Sequence, residues 1–190
     1  NQSREQVFAY LELADHYAVS HNELALCAYV KSIIHCDYSE FVQAEQYANI
    51  TLQYLSANLM AERGHALNCL ASACMRQGKV DDAERYLNQA LACIPPASNF
   101  AATVITAAEE DLRVRTETNL GQLYAKTGRL RKALELSLKA LNAKIEAVSD
   151  NEVIAYARIC VGEAYMNLQD YQNALNQLLQ SVDAYAKIYK

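Results

Sequence analysis

Glycine, proline and tryptophan are scarce in this chain. Five glycines and two prolines amount to about 4% of its 190 residues, against about 12% in average usage, and tryptophan is absent. Tight turns must therefore be few, which disfavours sandwiches, barrels and α/β folds, since these need many tight connections. No apolar run approaches the length of about 18 residues that a membrane-spanning helix requires, so no membrane partner is predicted.

Motifs that would indicate catalysis or cofactor binding are also missing. The sequence contains no Gly-x-Ser-x-Gly, no His-Glu-x-x-His and no glycine-rich loop that could cradle a phosphate. His65 and Cys69 lie four residues apart on one face of a predicted helix, but two ligands without a third do not make a zinc site. We therefore expect a protein that is not an enzyme and has no catalytic residues, metal or cofactor.

The cysteines indicate the cellular compartment of the protein, and the two ends of the chain indicate whether it is a fragment. Six cysteines, at 27, 36, 69, 74, 93 and 160, fall within predicted helices without Cys-x-x-Cys spacing. This usage is typical of buried thiols in a reduced, cytoplasmic protein. The chain begins with Asn1, and its last stretch, 182–190, is still helically periodic with no stop signal. We expect a fragment of a longer protein.

Charge is distributed unevenly along the chain. Its net charge of −5 is too mild to indicate nucleic acid or an anionic membrane. Residues 1–112 carry a net −8, whereas residues 113–144 carry a net +6. The basic segment could dock an acidic partner or pair two copies head to tail, or it could be ordinary helix-surface charge. No aromatic residue interleaves with Arg129-Leu-Arg-Lys132, which argues against nucleic acid.

One sequence pattern occurs three times. Each copy has an apolar residue followed by a tiny one, an alanine twelve positions after the tiny one, and a large apolar residue near its end. The tiny residues are Ala71, Gly121 and Gly162, and the alanines are Ala83, Ala133 and Ala174. Each copy predicts a helical hairpin, because the tiny residue lets the second helix cross closely at its alanine. One hairpin cannot bury its apolar faces alone, so neighbouring hairpins must stack.

The ends of the predicted helices carry their own signals. Gly78 and Gly128 occupy one equivalent turn, where the left-handed conformation that ends a helix suits glycine. The third copy has Gln169 at this place. Ser149-x-x-Glu152 predicts a capping box that opens the third copy.

This pattern resembles the tetratricopeptide repeat family. The residues that carry the resemblance are Leu67, Leu70, Ala71, Gly78, Ala83, Ala90 and Pro95 in the first copy, Leu120, Gly121, Tyr124, Gly128, Ala133 and Ala140 in the second, and Val161, Gly162, Tyr165, Tyr171 and Ala174 in the third. The resemblance implies an all-α fold, a right-handed α-α superhelix (solenoid) of about nine helices. It also implies that Tyr124 and Tyr165 fill the wedge between paired helices.

The same resemblance divides the chain into hairpins. Three are expected within 62–190, as one continuous solenoid, at 62–95, 99–146 and 150–190, with a single helix over about 99–127. Residues 1–61 are expected to hold a degenerate hairpin, in which Lys31-Ser32 replaces the apolar-tiny pair and His35 the aromatic residue. A helix over 4–19 precedes it, either a cap or the remnant of a truncated hairpin. Its apolar residues are Val7, Leu11, Ala14 and Tyr17.

The family's first helices line a concave groove that receives an extended or helical peptide. The resemblance therefore implies a partner-binding groove made by the residues that flank the buried face: His65, Asn68, Ser72, Arg76, Arg115, Asn119, Gln122, Lys126, Tyr156, Glu163 and Asn167. Stacking would place Arg76, Lys126 and Asn167 in one lane, and Ser72, Gln122 and Glu163 in a second. A basic lane favours an acidic segment or a C-terminal carboxylate. The fixed residue set of the family's chaperone-binding carboxylate clamp cannot be placed here.

The function implied is non-catalytic protein or peptide binding. Reference alanines at 44, 83, 133 and 174 are 39, 50 and 41 residues apart, longer than the usual repeat of about 34. Such long units resemble those of bacterial regulators, so we expect a sensory or regulatory region of a larger signalling protein, of diguanylate-cyclase or transcription-activator type. One alternative is a structural dimerisation scaffold, a homodimer formed through the terminal helix. Another is the small-molecule sensor domain of a maltose-type transcription activator.

Overall fold

The computed structural model describes residues 2–95, 106–146 and 151–188. Within these ranges the chain forms nine α-helices and no β-strand, so the predicted all-α class is confirmed. The helices are α1 (Gln2–Tyr17), α2 (His21–Asp37), α3 (Phe41–Tyr54), α4 (Met60–Arg76), α5 (Val80–Ala92), α6 (Ala107–Lys126), α7 (Leu130–Glu146), α8 (Asn151–Asn167) and α9 (Tyr171–Ala186).

The chain forms two compact units, Asn1–Arg113 and Val114–Lys190. In the first unit α1 packs on α2, and the hairpins α2–α3 and α4–α5 pack on each other. In the second unit α6 pairs with α7, α8 pairs with α9, and α7 packs against α8. Helix α6 contributes residues to both units.

The turn inside each hairpin has one residue in the left-handed region. Gly78 and Gly128 both have φ 76°, which confirms the prediction made for them. The residue after each glycine donates its N–H to the carbonyl five positions earlier, over 2.9 Å from Lys79 and 2.8 Å from Arg129. Gln169 has φ 61° in the third copy, so it adopts the same conformation although it carries a side chain.

The tiny residues and the alanines meet as predicted. A Cβ placed on Gly121 would lie 3.5 Å from the Ala133 carbonyl oxygen, and one on Gly162 would lie 3.5 Å from that of Ala174. The corresponding residues of α4 and α5, Ala71 and Ala83, are fully buried. The absence of bulk at these positions lets the two helices of a hairpin approach closely.

Apolar clusters form where one hairpin packs against the next. In the first unit the buried cluster consists of Leu67, Ala90, Cys93 and Leu112, from α4, α5 and α6. In the second unit it consists of Leu141, Ala157 and Val161, flanked by Leu134, Leu138, Ile154 and Tyr165. The second helix of a hairpin therefore buries one face against the first helix of the following hairpin, as stacked repeats require.

The degenerate hairpin replaces part of the apolar pattern with a buried polar cluster. Ser32 is fully buried at the tiny position, and Lys31 is only 8% exposed. Lys31 pairs with Asp15 of α1, and its ammonium lies 5.5 Å from the ring centroid of Tyr47. His35 stacks on Tyr47, with ring centroids 5.2 Å apart, and its Nδ1 lies 2.7 Å from Oε2 of Glu40. Partners from neighbouring segments thus compensate the departures at Lys31 and His35, whereas the buried Ser32 hydroxyl has no hydrogen-bond partner among the described residues.

Helix α1 forms where it was expected, but its predicted apolar face was wrong at three of four positions. Val7, Ala14 and Tyr17 are exposed and only Leu11 is half-buried, whereas Phe8 and Asp15 are half-buried against α2. Apolar periodicity missed this face because Asp15, a polar residue, is the partner that the buried Lys31 requires.

The start of one helix also differs from expectation. Helix α6 begins at Ala107 rather than at about 99, because Thr106 caps it: Glu109 N donates to Thr106 Oγ1 over 3.2 Å, and Thr106 N donates to Glu109 Oε2 over 2.7 Å. Residues 99–105 and the capping box predicted at Ser149 lie outside the described residues.

Candidate functional site

The predicted groove residues of the first unit lie on α4, and they are not equally accessible. Arg76 is exposed, and His65 and Ser72 are half-buried. Asn68 is only 2% exposed, and its Nδ2 donates to the Gly64 carbonyl in the preceding turn over 3.4 Å. A partner could not reach the Asn68 amide without movement of α4, so this residue serves the helix itself.

A small apolar pocket opens beside His65. Its volume is about 60 Å³. It is lined by Leu26 and Tyr29 of α2, by Thr51 of α3, by Leu55, and by Glu62 and His65 of α4. An apolar cavity of about 150 Å³ can hold benzene, so this pocket has room for a small aliphatic group. Leu26 and Tyr29 were not predicted, because α2 lacks the repeat motif that assigned faces in the other helices.

In the second unit the predicted residues lie on α6 and α8. Arg115, Gln122 and Lys126 are exposed on α6, and Asn119 is half-buried. Tyr156, Glu163 and Asn167 are exposed on α8. Helices α6 and α8 approach each other where the Gln122 amide lies beside the Tyr156 hydroxyl. Tyr156 remains 52% exposed, so its ring is accessible to a partner.

Tyr156 and Cys160 are both held in their neutral forms. The charge of an ionised Cys160 raises the pKa of Tyr156, and burial and the Glu163 carboxylate act in the same direction. Burial, together with the Glu163 carboxylate, raises the pKa of the Cys160 thiol in turn. Both groups are therefore protonated at neutral pH. A protonated thiol is a poor nucleophile, so this arrangement suits hydrogen bonding rather than covalent chemistry.

Four other cysteines also have thiols with a raised pKa. All six thiols are free. Burial is the main cause that raises the pKa of Cys27, Cys36, Cys74 and Cys93, and that of Cys74 reaches about 11. These pKa shifts are opposite to the lowering that activates a catalytic cysteine.

Part of the basic segment is engaged in ion pairs and in a cation–π contact. Lys139 Nζ lies 2.5 Å from Oε1 of the buried Glu117, and Arg113 pairs with Glu110. The Arg129 guanidinium lies 4.1 Å from the ring centroid of Tyr124. The charge that the segment presents to a partner is therefore smaller than its sequence total.

Two further findings concern the described ranges as a whole. They contain no group of three or more His, Cys, Asp or Glu side chains that could hold a metal ion. In the same ranges, none of the helices has the length and apolarity needed to cross a membrane.

Comparison with known proteins identifies the repeats. Two models described as tetratricopeptide repeat match the chain, one at residues 64–97 and the other at residues 118–144. No curated protein matches the chain at a significant level. The hairpin α8–α9 shares the turn and the close helix crossing of the two matched repeats.

Solved structures share the fold. BtubC (BKLC) from P. vanneervenii is similar with a TM-score of 0.74 and 17% identity, over 99% of this chain and 74% of that one. A putative kinesin light chain with nearly identical TPR-like repeats, from Podosopora anserina, is similar with a TM-score of 0.65 and 16% identity. The match covers 98% of this chain and 90% of that one. The apo form of RapI is similar with a TM-score of 0.67 and 16% identity, over 96% of this chain and 48% of RapI. Identities this low show the fold alone.

The stacked hairpins, with left-handed turns and alanine crossings, define an all-helical repeat protein. Its segments 64–97 and 118–144 are similar to the tetratricopeptide repeat family. Repeats of this family are protein-binding scaffolds.

Proposed function

We propose that the chain binds an extended or helical peptide segment of a partner along its first helices, and that it does so as the regulatory or sensory region of a bacterial signalling protein. The observation that carries this proposal is the contact between Gln122 and Tyr156. It places an amide side chain of one first helix beside the half-exposed aromatic ring of another.

The chemistry of this surface suits a peptide. An amide side chain such as that of Gln122 or Asn167 both donates and accepts hydrogen bonds, so it can pair with a peptide backbone in either direction. The ring of Tyr156 offers a large, rigid contact area whose ordering costs little conformational entropy. The raised pKa of the Tyr156 hydroxyl keeps it a hydrogen-bond donor at neutral pH.

Arg115 and Lys126 give this surface its preference for an acidic partner. Both are exposed on α6, the helix that carries Gln122. Three turns of helix separate them, so their charges act over a length of peptide rather than at one point. An acidic segment would therefore be attracted along the helix, with a contribution that weakens as salt is added.

The first unit offers a second type of contact. The apolar pocket beside His65 would take a small aliphatic side chain of the partner. Binding of an apolar anchor is largely independent of salt, in contrast to the basic residues of α6. A partner that used both features would bind with partial salt dependence.

A capture experiment with a charge-matched control tests the proposal. The 190-residue chain and the variant Arg115→Glu/Lys126→Glu are used to pull down partners from lysate of the source cells, and bound proteins are identified by mass spectrometry. The control is Arg131→Glu/Lys132→Glu, which makes the same charge change at two exposed positions of α7. We expect a partner that is retained by the wild type and the control but lost with the α6 variant.

The binding segment is then measured as a synthetic peptide. We expect Tyr156→Ala to weaken its binding at least about tenfold, since truncation of an aromatic anchor typically costs more than 1 kcal/mol. Capture that persists with both α6 changes, or a peptide affinity unchanged by Tyr156→Ala, would remove the site from this surface.

A further inference from the structure

Helix α1 contacts α2 through a charged and an aromatic side chain. The Asp15 carboxylate pairs with the Lys31 ammonium, and the ring of Phe8 lies against that of His35, with centroids 5.1 Å apart. Phe8 and Asp15 are seven residues apart, which places them on the same side of α1, two turns from each other. The contact therefore centres on one carboxylate and one aromatic ring.

The equivalent contact between internal repeats is apolar. Lys31 immediately precedes the tiny residue of α2, as Val161 does in α8. Val161 packs in an apolar cluster with Leu141 of the preceding helix, α7, whereas Lys31 meets Asp15 of the preceding helix, α1. A buried ion pair often stabilises no better than apolar packing of similar volume, yet loss of either partner is costly. This face of α2 therefore requires a carboxylate from whichever helix covers it.

The face of α2 is arranged by contacts that do not involve α1. His35 stacks on Tyr47 of α3, and its Nδ1 lies 2.7 Å from Oε2 of Glu40, the residue before α3. The Lys31 ammonium lies 5.5 Å from the ring centroid of Tyr47. The ammonium and the imidazole are therefore positioned from the α3 side, ready for a helix on the other side.

Helix α1 itself is not fixed by a buried apolar row. Within 5–17 none of its residues is buried, and Val7, Tyr10, Leu13 and Tyr17 are exposed. The hydrophobic effect acts only on area removed from water, so these four side chains do not hold α1 in place. A helix with the same two contact residues could therefore replace α1.

We propose that this face of α2 is a binding site for an acidic helix of a partner protein, and that α1 occupies the site in the free chain. The partner helix carries an aromatic side chain and a carboxylate seven residues apart. Its carboxylate pairs with Lys31, and its aromatic ring packs on His35. A second copy of the chain is a poorer occupant, because its own α1 already fills an identical site. The site shares no residue with the peptide-binding surface proposed for α6 and α8.

Competition with α1 sets the apparent affinity for the partner. Three residues, 18–20, connect α1 to α2, and a helix tethered this closely has an effective concentration of about millimolar or more at its own site. The apparent affinity for a partner helix is reduced to the fraction of chains in which the face is open. Weakening the hold of α1 should therefore strengthen the binding of a partner helix.

Binding of a synthetic α1 peptide to the 190-residue chain tests the proposal. A labelled peptide of residues 2–19 is titrated with the wild type and with Phe8→Ala/Asp15→Ala, and binding is followed by fluorescence anisotropy. We expect the variant to bind the peptide at least about tenfold more tightly than the wild type does, because its own α1 competes less. The matched control is Tyr10→Ala/Glu12→Ala, which removes an aromatic ring and a carboxylate from exposed positions of α1 and should bind as the wild type does.

Changes in the peptide test the chemistry of recognition. Asp15→Ala in the peptide should weaken its binding to the Phe8→Ala/Asp15→Ala chain at least about tenfold, since Lys31 would be buried without a carboxylate. An alanine-rich helical peptide with one phenylalanine and one aspartate seven residues apart should bind as well. Moving the aspartate two positions closer turns it to another side of the helix and should remove this binding.

Hydrogen exchange provides a readout that needs no variant. Saturating peptide should make the α1 amides of the wild type exchange like those of an unfolded segment, while the amides of α3 stay protected. Circular dichroism establishes that each variant is folded. The proposal is overturned if the peptide binds no chain, binds all three chains equally, or leaves α1 protected at saturation. A wild-type dimer in sedimentation velocity that is lost with Lys31→Met would assign the face to α1 of a second copy instead.

Discussion

At the scale of single residues, Lys31 has the most unusual environment. Its side chain is 9% exposed in a position where the repeat pattern has an apolar residue, and its carboxylate partner comes from a different helix. A buried ammonium is tolerated only if it is paired, and a cation–π interaction with the ring of Tyr47 supplies a second favourable contact. The ion pair with Asp15 therefore fixes α1 on α2.

We predict that Asp15→Ala lowers the free energy of unfolding by about 1–3 kcal/mol. The loss comes from leaving Lys31 buried without its carboxylate, and the half-exposed position of Asp15 reduces it. Urea denaturation measures the change. Asp15→Ala combined with Lys31→Met should recover most of it, because methionine needs no partner. Equal loss in the single and double variants would show that the pair does not hold α1.

Cys74 gives a prediction about pH. Burial raises its pKa from 9.0 to about 11, so the unfolded chain releases this proton at a lower pH than the folded chain does. The stability contributed by the protonated thiol is fully present below about pH 9 and is lost as the pH rises through about 11. We expect the wild type to lose about 2–3 kcal/mol more over this interval than Cys74→Ala does, measured by urea denaturation. Parallel profiles would contradict the assignment.

At the scale of helices, the close crossing at alanine is the feature that shapes each hairpin. Ala133 is 1% exposed, and its carbonyl oxygen lies opposite Gly121 with no room for a large side chain. The second helix cannot move outward freely, because its other face packs against α8. Bulk at this position must therefore displace one of two packed surfaces.

We predict that Ala133→Trp lowers the free energy of unfolding by at least about 1–3 kcal/mol, the usual cost of overpacking. Circular dichroism during thermal melting measures the change. Ala92→Trp, at an exposed position of α5, is the control and should have little effect. An unchanged melting temperature for Ala133→Trp would mean that the helices do not cross closely there.

At the scale of the whole molecule, charge offers a way for two copies to associate. The segment 1–112 carries a net −8 and the segment 113–144 a net +6, so two chains could attract each other head to tail. Attraction of this kind between exposed charges weakens as ionic strength rises. Association through apolar surfaces would not weaken in this way, because salt does not screen the hydrophobic effect.

We therefore predict that association of two copies through these charges is lost when sodium chloride is raised from about 0.1 to about 1 M, which shortens the range of electrostatic attraction to about 3 Å. Sedimentation velocity at constant protein concentration measures the effect. The control is Arg131→Glu/Lys132→Glu, which removes positive charge from the segment 113–144 and should weaken association at the lower salt concentration. Association that does not change with salt would contradict the head-to-tail arrangement.

The sequence predicted the parts of the fold that depend on local pattern. The three hairpins, the left-handed glycines at 78 and 128, and the crossings at Ala133 and Ala174 all follow from fixed spacing within a single repeat. The candidate site was only partly accessible to this reasoning. Helical spacing identified Gln122 and Tyr156 separately, but it also included Asn68, which is buried. It missed Leu26 and Tyr29, which line the pocket.

The sequence by itself thus determined the helices, their pairing into hairpins and the similarity of two segments to tetratricopeptide repeats, because these depend on periodicity and on residue size at short range. Tertiary structure decided the environments that long-range contacts create. It placed Asp15 beside Lys31, brought Gln122 beside Tyr156 and left the apolar side chains Leu175, Leu179 and Val182 of α9 exposed. The physical reason is that each of these outcomes depends on residues from different helices, and a repeat pattern specifies only what lies within one unit and its nearest neighbour.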